Sequence, residues 1–146
     1  MNWMRFVIAF IVALILVNVL GFMQGVLEQS LHVFGSIPDD FIVEQNKPWL
    51  IQMIITAIVL EIFFPMLVYV FLAEKLFKKS NIFLGVSFGF LVFLLGALAP
   101  HVFTPMLLKV GPSYFWVHAA GNCANLCATG AVIGAIYKPK SGARPE

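Results

Sequence analysis

The chain has 146 residues, 61% of them hydrophobic and only 11% charged, with a formal net charge of +2 and a mean hydropathy of +0.96. Soluble domains carry about 25% charged residues, so the composition excludes a water-soluble globular protein, and the small charge excess argues against a nucleic-acid partner. A membrane span takes about 20 apolar residues, so the length suits a single all-α transmembrane domain of four helices over residues 1–146.

The predicted spans are 6–23, 49–72, 82–98 and 114–137, followed by a polar tail at 138–146. Span one follows Arg5 as a secretory signal would. Its apolar run is longer than a typical signal core and no small-x-small cleavage site comes after it, so an uncleaved span is expected. The next connection carries Glu28, Asp39, Asp40 and Glu44. Its first part, GVLEQSLHVFGSI, sets Val26, Leu27, Leu31, Val33 and Phe34 among polar residues, which reads as a short helix lying in the outer membrane interface.

Span two starts after Pro48 and places Glu61 near mid-membrane. A carboxyl group there is costly when charged and marks a candidate proton or cation site. Pro65 stands four residues on and has no N–H for the Glu61 carbonyl, which would leave that oxygen free beside the acid. Span three contains Gly85-x-x-x-Gly89, then Gly96, and has a kinked extension at Pro100 and Pro105.

Span four carries the densest set of polar and small residues. At helical spacing His118, Asn122, Asn125 and Thr129 fall on one stripe, while Cys123, Cys127, Gly130 and Gly134 fall on another face. The small face, with Gly85, Gly89 and Gly96 of span three, predicts close helix packing of the small-xxx-small kind, and the two cysteines read as packing residues. The polar stripe predicts either interhelical hydrogen bonds or the wall of a wet cavity, and with no lysine or arginine in the span it is unsuited to an anion.

Orientation follows from the basic residues. Arg5, Lys75, Lys78, Lys79, Lys138, Lys140 and Arg144 fall on one side, against Lys47 and Lys109 on the other. By the positive-inside rule both termini are expected in the cytoplasm, which suits the inner membrane of a prokaryote.

Two functions compete at this level. One is a small transporter or channel-like protein moving protons, cations or a small solute past Glu61, His118, Asn122, Asn125 and Thr129. The other is a noncatalytic accessory subunit, in which those residues hold helices together within a homo-oligomer or a larger membrane complex. A third reading has His32, His101 or His118 binding heme or a metal ion. No two of the histidines share helical spacing, so no cofactor is expected. No catalytic motif is present either, so an enzyme is not expected.

Overall fold

The computed structural model describes residues 1–31, 48, 51–52, 54–55, 58–77, 79–99 and 112–139, and at 60, 61, 97 and 112–115 the backbone alone. The architecture is all-helical: α1 (Trp3–Ser30), α2 (Phe64–Leu72), α3 (Ile82–Val92) and α4 (Pro112–Ile136), with π-helical turns at Ile58–Phe63, Ala73–Phe77 and Phe93–Ala97. Among the described residues two helices are long and apolar enough to cross a membrane: α1, and Trp116–Ile136 within α4. Their mean hydropathies are 2.9 and 1.3.

Local chemistry sets the helix starts. Asn2 caps α1 by accepting from the Arg5 backbone N at 3.4 Å, and Asn81 caps α3 by accepting from the Leu84 N at 2.8 Å. Each cap satisfies one of the donors a helix leaves bare at its first turn. Two of the π turns contain the residue four before a proline: Glu61 before Pro65, and Gly96 before Pro100. Proline offers no N–H to the carbonyl four residues back, and an i→i+5 register steps over that gap. Glu61 lies within the π turn Ile58–Phe63. The Glu61 side chain lies outside the described residues.

One face of α1 changes character along its length. In its first half Phe6, Ala9 and Ala13 pack into a core with Ile62, Met66, Tyr69 and Val70 of the second helical segment and Ile133 and Tyr137 of α4. Phe63 closes the edge of this core, edge-on to Phe6 at 6.3 Å and to Phe10 at 6.1 Å. From Val17 onward the same face borders a cavity. The opposite side of α1 turns Ile11, Ile15, Val19 and Phe22 outward, an inside-out pattern for a protein in water and the expected one for a helix in lipid.

The far end of the bundle is tied by polar contacts. Ser80 Oγ donates to the Gly134 carbonyl at 3.0 Å and meets the Tyr69 hydroxyl at 2.8 Å. Lys138 Nζ donates to the Ser80 carbonyl at 3.2 Å. The Tyr137 hydroxyl donates to Glu74.

The helix α1 also corrects a boundary expected from sequence. Hydropathy closes span one at residue 23 and assigns Glu28 to an outer loop, with Val26 and Leu27 on a separate interfacial helix. In the structure α1 runs unbroken through these residues to Ser30, and Glu28 is buried. The reason is tertiary: its last two turns dock on α4, where Gln24 and Glu28 find partners. Asp39, Asp40, Glu44 and the tail from 140 onward lie outside the described residues.

Candidate functional site

The helix α4 meets its neighbours in two different ways. Against α3 the approach is backbone to backbone. A Cβ added to Gly85 falls 1.9 Å from the Gly130 carbonyl oxygen, and one added to Gly130 falls 2.1 Å from that of Gly85. Gly89 stands in the same relation to the Leu126 oxygen at 2.1 Å, and Gly134 to the Asn81 oxygen at 2.3 Å. No side chain fits between these helices, so four glycines are needed at the crossing. Cys127 contributes its backbone to the same contact, 3.0 Å from the Gly89 Cβ position. Cys123 and Cys127 are free thiols, both half-buried. At Gly96 an added Cβ meets no atom of the described residues within 4 Å.

Against α1 the other face of α4 borders a cavity of about 330 Å³. The helix α1 contributes Val17, Gly21, Gln24, Gly25 and Glu28, and α4 contributes His118, Asn122, Asn125, Leu126 and Thr129. The α1 set recurs at i, i+4, i+7, i+8 and i+11, one stripe of a helix. All four residues of the predicted polar stripe on α4 therefore border one space. The structure adds Gln24 and Glu28, which sequence reasoning assigned no role.

The polar groups form a connected network at the Glu28 end. Gln24 Nε2 donates to Glu28 Oε1 at 2.7 Å, and His118 Nδ1 contacts the same oxygen. Asn125 Nδ2 donates to Gln24 Oε1 at 2.8 Å, fixing the Gln24 amide with its nitrogen toward Glu28. Gly121 makes this docking possible, since a Cβ there would come within 2.6 Å of the Gln24 amide carbon. The glycines on α1 differ in kind: a Cβ at Gly21 or Gly25 meets no atom of the described residues within 4 Å. They widen the cavity.

At the other end stands Thr129. Its residue is 5% exposed, and its hydroxyl is buried without a hydrogen-bond partner among the described residues. Leaving such a group unpaired costs about 1–3 kcal/mol, and a helical threonine ordinarily avoids that cost by bonding back to its own helix. A polar group within the cavity would satisfy it.

Of the other predicted site residues, His32 and His101 lie outside the described residues. Among the described residues no three His, Cys, Asp or Glu side chains converge as a metal ion requires. Among the described residues the lining of the cavity holds one carboxylate and neither lysine nor arginine. No protein-family model matches the chain, and neither a curated protein nor a solved structure matches it.

Proposed function

We propose that the chain is an integral membrane protein of four spans with both termini in the cytoplasm, and that the cavity between α1 and α4 binds a small polar or cationic solute on its route across the bilayer. The observation that carries this reading is the convergence of Glu28, His118, Gln24, Asn125 and Thr129, whose hydroxyl has no partner among the described residues, on one space between two helices long enough to span. Polar side chains in hydrocarbon are costly and mark pathways or ligand sites. The outward-facing Ile11, Ile15 and Phe22 are supplied with a lipid partner by this placement.

In this reading Glu28, not Glu61, is the acid of the route's outer half. With the N terminus inside, α1 runs outward, so Glu28 and His118 stand near the outer surface and Thr129 lies deeper. The accessory-subunit alternative loses one of its supports, because the small-residue face of α4 is taken up by α3 within the same chain and needs no second subunit to cover it.

The test is electrical recording from proteoliposomes on a solid support, stepping protons, sodium, potassium and alkylammonium ions in turn. Wild type should give a current to at least one of these cations, and Glu28→Gln should remove it while the protein still reconstitutes. A silent wild type, or a Glu28→Gln variant with undiminished currents, would overturn the proposal.

A further inference from the structure

The two ends of the cavity differ in chemistry, and that difference specifies a ligand. At one end is a single carboxylate whose Oε1 already receives Gln24 and His118, while Oε2 takes no part in either contact. At the other end is Thr129, whose buried hydroxyl has no partner among the described residues. Between them the walls include Val17, Leu126 and the bare backbone at Gly21 and Gly25. Among the described residues the lining carries no lysine or arginine.

Resting on the proposed solute site, we infer that its ligand class is an elongated organic monocation: an ammonium head at Glu28, a slim chain along the glycine floor, and a hydroxyl or similar polar group at Thr129. Length and volume agree with this. His118 and Thr129 are about three turns apart, roughly 16 Å along the helix axis. A hydrogen-bond distance of about 3 Å at each end leaves roughly 10 Å for the ligand, the reach of a six-carbon amino alcohol. A cavity of about 330 Å³ is far larger than a bare metal ion needs and falls at the small end of organic-ligand pockets, which begin at about 300 Å³. An inorganic cation would also leave the apolar walls without a contact.

The head and the tail are separable by experiment. Calorimetric titration of the protein in lipid nanodiscs, with empty nanodiscs as the blank, would compare 6-amino-1-hexanol, hexylamine, 1,6-hexanediol and sodium chloride. The amino alcohol should bind tightest. Hexylamine, lacking the tail hydroxyl, should bind about two- to tenfold more weakly, as for loss of one neutral hydrogen bond. Hexanediol, lacking the charge, should bind about ten- to a hundredfold more weakly, and sodium should not compete.

Each variant should erase one difference. Thr129→Val should equalise the amino alcohol and hexylamine, and Glu28→Gln should equalise the amino alcohol and hexanediol. Gly21→Leu, whose side chain enters the cavity, should remove all binding. Hexanediol or sodium binding as tightly as the amino alcohol would overturn the ligand class, and so would an affinity order that neither Thr129→Val nor Glu28→Gln changes. If none of the four binds while the cation currents persist, the ligand class is wrong and the route stands. If binding and currents are both absent, the two proposals fall together.

Discussion

The two interfaces of α4 both use glycine, on α3 and α4 in one and on α1 in the other, and serve opposite ends. Toward α3, Gly85, Gly89, Gly130 and Gly134 bring two backbones into contact, and an added Cβ at any of them would meet a carbonyl oxygen within 2.3 Å. Toward α1, Gly21 and Gly25 face a space in which an added Cβ meets no atom of the described residues within 4 Å. Glycine at helical spacing thus has two meanings in one bundle. Where the partner helix also presents glycine, it closes a contact; where the partner presents His118, Asn125 and Thr129, it opens one.

Substitutions should separate these meanings sharply. The largest effect is expected on the closed face: Gly130→Leu drives a side chain into the Gly85 carbonyl and should destabilise the bundle by about 3 kcal/mol, read as a fall in the thermal unfolding midpoint in detergent. On the open face, Glu28→Ala should cost about 1–3 kcal/mol, since Gln24 and His118 lose their acceptor, and should abolish cation currents. Thr129→Val should move two readouts in opposite directions. Removing a buried hydroxyl that has no partner leaves stability unchanged or raised by up to about 1 kcal/mol, while affinity for a hydroxyl-tailed cation drops. A Thr129→Val protein that loses stability instead would show that the hydroxyl has a structural partner.

The smallest effect concerns neither face. Glu74, at the opposite end of the bundle, accepts from the Tyr137 hydroxyl and stands 3.2 Å from the Met1 amino nitrogen. The tyrosine hydrogen bond holds its carboxyl below the usual range, against the opposing effect of burial, with the amino group adding to the lowering. A group depressed on folding stabilises the folded state above its unfolded value of about 4.3, and that contribution is lost as the pH falls through the depressed value. Tyr137→Phe should therefore flatten the acid limb of the stability profile between pH 5 and 2, by about 1 kcal/mol or less, as measured by unfolding at stepped pH. An unaltered acid limb would remove Glu74 from the account.

Much of α4 was legible in the sequence, because periodicity is a local property. The spacing of His118, Asn122, Asn125 and Thr129 puts them on one stripe whatever surrounds the helix, and the glycine spacing at 130 and 134 requires only a neighbour able to come close. The partner of each face was not legible. Nothing local says that α3 meets the glycines and α1 the polar stripe, since that depends on how the helices are arranged. Glu28 was misplaced for a related reason. Hydropathy ends a span where polar residues begin, but a helix continues past that point when its polar residues find partners across the bundle, as Gln24 and Glu28 do with Asn125 and His118. Glu61 drew attention by its depth in the span, a one-dimensional signal. Its side chain lies outside the described residues, and among those described an interhelical network forms about Glu28, whose partner across the bundle, His118, is 90 residues away in the chain.

The measurement that bears most directly on the role of the open face is the behaviour of Gly21→Leu. Its side chain has room in the cavity and touches neither Glu28 nor the glycine crossing, so the unfolding midpoint should stay within about 0.5 kcal/mol of wild type while cation currents in proteoliposomes disappear. A Gly21→Leu protein that folds as wild type and still carries wild-type currents would contradict the claim that the space between α1 and α4 is the route.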